Sequence, residues 1–336
     1  MPVQLHATSS ARPRWQQELA DAIRDPAELL SLLELDPALL PAAQAAAAQF
    51  PLRVPRGFVA RMQPGDPHDP LLRQVLPLAD ELRPAQDYLV DPVGDLEAMR
   101  AGGVLHKYHG RVLLVITGAC AIHCRYCFRR HFPYAEANAA AGGFAAALDY
   151  IRARPDISEV ILSGGDPLVL NDRRLSELAR QLAAIPHLRR LRIHSRLPIV
   201  LPSRIDADLL DWLTGTRLQP VLVVHANHPR ELSDEVAAAA ARLRERGVTL
   251  LNQAVLLAGV NDDAEVLVEL SERLFALGIL PYYLHALDRV QGASHFNSDQ
   301  ALRSLLPKLR ARLPGYLVPR AVREEPGRAS KTPLPY

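Results

Sequence analysis

Outside one stretch of eight residues this chain has no cysteine, and that absence excludes much of what cysteine does in proteins. The number of thiols is odd, three, and no secretory segment precedes them, so an extracellular disulfide framework is not expected. Charge of one sign is also lacking. The 39 basic and 37 acidic residues are well mixed, formal net charge is +2, and neither nucleic acid nor another polyanion is indicated as a partner. No apolar run approaches the roughly 18–20 residues that cross a bilayer. The first six residues, Met1 to His6, lack the basic and apolar regions of a signal peptide. The expectation is a cytoplasmic protein with no membrane association, whose 336 residues can bury a large core.

What is present is concentrated. Cys120, Cys124 and Cys127 form CxxxCxxC in the run Gly-Ala-Cys-Ala-Ile-His-Cys-Arg-Tyr-Cys-Phe-Arg-Arg. Three thiolates at this spacing can wrap one face of a cubane iron-sulfur cluster and leave one iron open to a small molecule. A structural zinc site needs a fourth ligand, and only His123 or His131 is local, at spacings unlike the usual knuckles. Unrelated buried thiols would be scattered along the chain.

Residues 1–100 read as a helical arm, with helical patterns at 15–23 and 26–33 joined by stretches containing Pro51, Pro55, Pro64, Pro67 and Pro70. The alanines at 45–48 fit a helix of high propensity. From residue 111 onward, apolar β-branched runs at 112–116, 160–162, 191–193, 221–224, 249–255 and 280–284 alternate with amphipathic stretches. Those lie at 144–154, 174–184, 207–213, 234–246, 264–277 and 299–313. Six β-α units imply a parallel α/β sheet, either an incomplete barrel or an open doubly wound sheet. Polar clusters fall just after or within the strands: the cysteine loop, Ser163-Gly164-Gly165-Asp166, His194-Ser195-Arg196, His225-Ala226-Asn227-His228, Gln253 and Asp288. Any one could be ordinary turn chemistry. Six at corresponding ends favour a partial (βα)6 barrel with one active cavity.

An aromatic residue just before the third cysteine and Ser-Gly-Gly-Asp after the second strand resemble the radical S-adenosylmethionine (SAM) superfamily. The runs Leu105-His106-Lys107-Tyr108, Cys-Arg-Tyr-Cys-Phe-Arg-Arg, Leu197 to Ile205, Asn252-Gln253 and Ser330-Lys331-Thr332-Pro333 are similar to the lysine 2,3-aminomutase family. The likeness is greatest to the branch that supplies (R)-β-lysine for elongation factor P, and it extends into the arm at Leu52 to Arg56. The resemblance implies a partial TIM-like barrel over 101–315 and a short cofactor-binding tail over 316–336. It also implies a 4Fe-4S cluster, SAM and pyridoxal 5′-phosphate, an external electron donor, and L-lysine as substrate. In such enzymes SAM on the open iron is split to a 5′-deoxyadenosyl radical that takes a hydrogen from Cβ of lysine. The nitrogen then migrates from Cα to Cβ while held on pyridoxal phosphate, and the hydrogen is returned.

Residue by residue, the resemblance makes Lys331 the Schiff-base lysine, although a lysine in a tail is otherwise just solvated. It assigns Lys107, Tyr108 and Arg111 to the cofactor's phosphate, with Lys107 standing where an arginine is common. Arg129 would hold the substrate carboxylate, and Asp288 and Glu324 the distant ammonium. Glu324 stands where aspartate is common, and Glu325 beside it is a second candidate. Gly164, Gly165, Asp166, Arg196, Asn227, His228 and Gln253 would meet SAM. Plain readings stay open: Arg129 as a surface residue, Asp288 as a cap. The chain lacks the further cysteines and longer C-terminal segment of the larger, zinc-linked relatives, so their assembly is not expected. Other readings are an aminomutase for free lysine or a related amino acid in catabolism or osmolyte synthesis, and a non-catalytic iron-sulfur scaffold. Adjacency of its gene to that of a lysyl ligase would favour the elongation factor P branch.

Overall fold

A parallel strand covered on both faces must be apolar at nearly every position, and Glu159–Ser163 is buried throughout. It lies within a nine-stranded sheet in a computed structural model that describes residues 12–137 and 139–334. The readings at Met1 to His6 and at the final residue, Tyr336, lie outside the described residues. In order the strands are β1 (Val104–Tyr108), β2 (Arg111–Val115), β3 (Glu159–Ser163), β4 (Arg190–Ser195), β5 (Gln219–Val224), β6 (Thr249–Val255), β7 (Leu280–His285), β8 (Arg320–Arg323) and β9 (Thr332–Pro333). Neighbours in sequence are neighbours in the sheet. From β2 to β8 every pairing is parallel, whereas β1 and β9 pair antiparallel with β2 and β8.

Helices Ala145–Arg152, Asp172–Ala183, Ala207–Thr214, Asp234–Glu245, Ala264–Ala276 and Asp299–Arg312 make the crossovers. Side-chain caps set several starts: Asn171 accepts from the Arg174 amide at 3.0 Å, Asp206 from Leu209 at 3.0 Å, and Asp263 from Glu265 at 2.7 Å. The sheet curls. Residues from β1 at one end and from the β8–β9 turn at the other line the same cavity, and no pairing closes β1 or β2 onto β8 or β9. The partial barrel is therefore correct and the open doubly wound sheet is not. Strand β4 shows why its sequence alternates, since Arg192 and His194 face the cavity while Leu191 and Ile193 are buried on the other side; Ser195, at the strand's end, reaches the cavity wall as well.

Three strands were not anticipated. β1 carries Lys107 and Tyr108, and its mixed polar sequence hid the strand; β8 has four residues and β9 only two. The helix expected over 15–23 ends at Ala20, because Ile23 pairs instead with Val54 in an antiparallel bridge.

The N-terminal part shares the barrel's core. Trp15, Ile23, Leu29, Phe58 and Leu71 belong to one apolar cluster with Val160, Ile193 and Leu222. It also brings buried polar groups, among them Asp69, Gln74, Glu81 and Asp95. Glu81 holds two arginines of the cysteine loop. Its Oε1 accepts from Arg125 Nε at 2.7 Å, and its Oε2 from Arg125 Nη2 at 2.5 Å and Arg130 Nη2 at 2.8 Å. All three side chains are at most 2 % exposed. Removing the shared carboxylate strands two buried cations, so Glu81→Ala should lower unfolding free energy by about 3–5 kcal/mol. Urea unfolding followed by circular dichroism measures it; a loss under about 1 kcal/mol, the scale of a surface pair, would contradict the arrangement.

Candidate active site

The loop after β2 lies directly on the loop after β3. Ile116 N donates to Ser163 O at 3.1 Å, Gly165 N to Thr117 O at 2.7 Å and Asp166 N to Ala119 O at 2.8 Å. A Cβ at Gly164 would stand 2.4 Å from Thr117 O, and one at Gly165 2.3 Å from Ala119 O. These glycines are thus required first by the protein's own backbone, not by a ligand. The contact shapes the turn that carries Cys120, Cys124 and Cys127, all partly buried and all lining a cavity of about 730 Å³.

Burial pushes the Cys127 thiol up to about 11 and Cys120 well above its ordinary value, so iron must displace protons to bind there. Among the described residues no three His, Cys, Asp or Glu side chains close on a single ion. The three thiols share one cavity wall, as a cluster held by all three requires. Arg196 offsets thiolate charge: its Nη1 is 2.8 Å from Cys124 Sγ, while Nη2 donates to Gln74 Oε1 at 2.6 Å and Glu231 Oε2 at 3.0 Å. Its Nε is enclosed without a partner, and the residue is 4 % exposed. A donor left in this state beside the thiols fits an anionic ligand such as the carboxylate of SAM.

Of the residues expected to meet SAM, Asp166 and Asn227 line the cavity with side chains also bonded within the fold, and His228 is not among the lining residues. Asp166 Oδ1 accepts from Ser195 Oγ at 2.8 Å and Leu168 N at 3.1 Å, and its Oδ2 from Arg196 N at 2.8 Å and Leu197 N at 3.2 Å. Both oxygens are used to tie β3 to β4, and burial still pushes the carboxyl up to about 6. Asn227 donates to Gln74 Oε1 and Tyr126 Oη at 2.9 and 2.7 Å and accepts from Val255 N at 2.8 Å, which uses both amide hydrogens and one of the two acceptor sites on Oδ1. His228 lies outside the cavity, where its Nδ1 accepts from Arg230 N at 3.2 Å and caps a short turn. His225 is the histidine on the cavity wall, 2.8 Å from Gln253 Nε2 through its Nε2, and burial with Arg196 nearby drops it to about 3. His194 and His285 also line the wall, each with Nε2 enclosed and unpartnered. Burial keeps both neutral.

The other end of the cavity is charged. The β8–β9 register pairs Arg323 with Thr332, which sets Glu324 opposite Lys331 across the turn. Leu334 N donates to Ala321 O at 3.0 Å, so the tail is a docked hairpin and not a solvated end. Lys331 Nζ pairs with Glu324 Oε2. Lys107 corrects an expectation. Its ammonium meets Asp95 Oδ1 at 2.6 Å, Glu324 Oε1 at 2.9 Å and Val93 O at 2.8 Å, which uses all three donors and leaves none for a phosphate. Of the phosphate trio, Tyr108 and Arg111 remain on the wall, stacked with 4.7 Å from guanidinium to ring. Arg192 joins them there, with its Nε enclosed and unpartnered.

Arg129 donates through Nε to Asp95 Oδ2 at 2.6 Å and through Nη1 to Ser163 Oγ at 3.2 Å, beneath Phe128 at 4.8 Å. It is 8 % exposed, so the surface reading fails. Burial works against the Asp95 carboxylate, but Arg129 and Lys107 outweigh it and hold the group below its usual range. Asp288 is the acid without a cation. Its Oδ1 is enclosed with no hydrogen bond, and burial, then the nearby Glu324, pushes the carboxyl up to about 7. Glu325 is engaged by Thr332 and Arg328 and is absent from the cavity wall.

Gln74, Glu81 and Asp95 went unrecognised in the sequence, as did His285 as a wall residue, whereas His194 was among the clusters expected at the cavity. A glutamine inside the apolar run 71–76 was the one available signal for Gln74, since a polar residue there must be buried with partners.

The barrel, the cysteine loop and the glycine contact define a radical SAM enzyme, and the Radical SAM superfamily model matches residues 114–270. A curated L-lysine 2,3-aminomutase of Escherichia coli strain K12 is 50% identical over 326 residues, covering 96% of this chain and 95% of that one. One from Haemophilus influenzae is 48% identical over 95% and 94%, and one from Clostridium subterminale 38% identical over 82% and 67%. The chain belongs to the lysine 2,3-aminomutase family, an isomerase family within that superfamily. No helix among the described residues is long and apolar enough to cross a membrane.

The unpartnered acid has a measurable cost. An unfolded Asp titrates near about 4, whereas Asp288 in the fold titrates at about 7, so the unfolded state ionises first as pH rises. Its stability penalty is absent below about pH 4 and complete above about pH 7. Asp288→Asn removes it, and the stabilisation should be greater at pH 8 than at pH 5 by about 1–3 kcal/mol. Urea unfolding of ligand-free protein at the two pH values gives the difference; equal gains would mean that the acid is not buried unpaired.

Proposed function

We propose that this enzyme converts L-lysine to (R)-β-lysine by moving the amino group from Cα to Cβ, using a 4Fe-4S cluster, SAM and pyridoxal 5′-phosphate. The observation that carries the reading is one cavity whose wall holds three thiols, an enclosed arginine beside them, Arg129, Asp288 and Lys331. Lysine carries three charged groups, and the wall offers Arg129 for the carboxylate, Asp288 for the far ammonium and Lys331 at the place where the α-amine would meet the cofactor. The cluster and SAM supply, when bound, one-electron chemistry that removes and returns a hydrogen atom. Pyridoxal phosphate supplies, when bound, a carbonyl to hold the amine and a π system to spread the unpaired electron as nitrogen moves.

The chain's own contribution is geometry and exclusion. Lys331 presents the only lysine amine on the wall that Lys107's saturated ammonium does not rival. Arg129, fixed by Asp95 at Nε, keeps Nη2 for a substrate carboxylate in the planar geometry that suits it. Asp288 offers an unpaired acid for the far ammonium. Tyr108, Arg111 and Arg192 gather cationic and hydrogen-bonding groups suited to a phosphate. Neutral His194, His225 and His285 add no charge to the wall. Near-continuous apolar strands behind that wall limit water, which would quench a carbon radical.

The product's destination is proposed as elongation factor P, attached by a separate lysyl ligase. Support comes from the motif likeness over residues 120–130, 197–205 and 330–333. In a mixture with L-lysine, pyridoxal phosphate, SAM, an electron donor, ATP, the ligase and elongation factor P, the factor should gain one lysyl unit that acid hydrolysis releases as β-lysine; release of α-lysine alone would reject this destination.

Anaerobic reconstitution with iron, sulfide, SAM, pyridoxal phosphate and dithionite should yield β-lysine from L-lysine, scored by chiral chromatography. Lys331→Ala should bind the cluster and cleave SAM normally yet lose at least about 1,000-fold in product. Cleavage of SAM by wild type with no β-lysine would retain the superfamily and reject the substrate.

A further inference from the structure

Each thiol of the cysteine loop lies within reach of a different arginine's charge. Arg196 Nη1 is 2.8 Å from Cys124 Sγ, Arg129 and Arg130 act electrostatically on Cys127, and Arg53 acts on Cys120. Acids balance all but the last. Arg196 pairs with Glu231, Arg129 with Asp95 and Arg130 with Glu81. Arg53 has no carboxylate partner among the described residues: burial, then the like charge of Arg24, pulls its guanidinium below the usual range, and the one counter-charge acting on it is Cys120. Its Nη2 donates to Leu19 O at 3.2 Å, and its Nε is enclosed without a partner. Local backbone explains how a residue of the N-terminal arm reaches this place. His123 N, between two of the thiols, donates to Arg53 O at 2.9 Å, and Arg125 Nη1 donates to Phe50 O at 2.8 Å. The antiparallel bridge of Ile23 with Val54 sets Arg24 opposite Arg53. Two like charges opposite each other with no acid between them are unfavourable in the fold itself, and an anion beside them relieves the cost.

We propose that Arg53 tunes the iron-sulfur cluster held by the three thiols, its unbalanced charge raising the cluster's reduction potential. This rests on the reading above that the thiols hold a 4Fe-4S cluster. On reduction that cluster takes one electron from an external one-electron donor, which is oxidised by the same electron. The cluster becomes more negative by one unit, no bond forms or breaks, and no proton moves. A nearby cation therefore stabilises the reduced form more than the oxidised one. The carboxylates that share Arg196, Arg129 and Arg130 cancel much of this effect at Cys124 and Cys127. No carboxylate cancels it at Arg53. Arginine suits the position because it stays charged when half-buried, as Arg53 is. The arm thus contributes to electron uptake through a residue that ligates no iron.

The test reads the potential itself. Anaerobically reconstituted enzyme without SAM is titrated against redox mediators, the reduced cluster is counted by its electron paramagnetic resonance signal, and iron and sulfide are assayed in every sample. Arg53→Gln should lower the equilibrium constant for reduction roughly tenfold, a fall of about 59 mV for one electron. Arg53→Lys keeps the charge and should stay within roughly twofold of the wild-type constant. Arg24→Glu leaves Arg53 and its backbone contacts in place and sets an acid opposite it at an exposed position. It should lower the constant roughly threefold, or about 28 mV. This variant decides alone if the glutamine protein does not hold iron. A potential unmoved by Arg24→Glu and by iron-replete Arg53→Gln, or an equal fall in Arg53→Lys and Arg53→Gln, would make Arg53 a structural residue of the arm and overturn the proposal. Wild type that takes up no iron and sulfide overturns instead the cluster reading on which it rests.

Discussion

The charge chain from Arg129 through Asp95, Lys107 and Glu324 to Lys331 is the constraint on which the rest of the structure depends. Charges this enclosed are tolerated only when each has a partner of opposite sign close by. Every link comes from a different part of the molecule. Asp95 precedes the barrel, Lys107 is on β1, Arg129 is in the cysteine loop, and Glu324 and Lys331 face each other across the last hairpin. The N-terminal segment, the cysteine loop and the tail are consequently held together by electrostatics that no one of them could satisfy alone. A second polar web around Gln74 and Glu231 performs the same task near the thiols, where Arg196 ends against Cys124.

The two webs leave the cavity with a definite polarity. Near the thiols, cations outnumber free acids, which suits a cluster bearing thiolates and an anionic ligand. At the far end the acids are matched to lysines except for Asp288, whose carboxyl sits near 7 because nothing yet neutralises the charge it would carry. A ligand that brings an ammonium to that point relieves the penalty, so unfavourable burial in the free protein becomes affinity in the complex. Selectivity for a cationic side chain then follows from a group that the fold leaves unsatisfied.

How much of this was legible in the sequence depended on the kind of information involved. The six central strands announced themselves because each carries an apolar, largely β-branched stretch such as Val160 to Leu162 in β3, and several crossover helices began at capping residues. The thiols, Lys331, Arg129 and Asp288 were recoverable from motifs. The partners that Asp166, Asn227, His228 and Lys107 find within the fold were not, because a sequence shows which polar groups exist and not which neighbours they bond. Asp166 looks like a ligand until both its oxygens are found on the β4 turn. Asp95 has no motif spacing to the cysteines, and only the fold brings it beside Arg129. Strands β8 and β9 were too short for any periodicity, yet their register is what sets Lys331 opposite Glu324.

The proposed reaction moves a hydrogen atom from Cβ of lysine to SAM bound at the thiols and back again. The most direct measurement is to incubate the anaerobically reconstituted enzyme with L-lysine deuterated at C3 and unlabelled SAM, then recover SAM and analyse it by mass spectrometry. Deuterium at the 5′ carbon of the recovered SAM is the predicted result. Formation of β-lysine with SAM left free of deuterium would contradict the account.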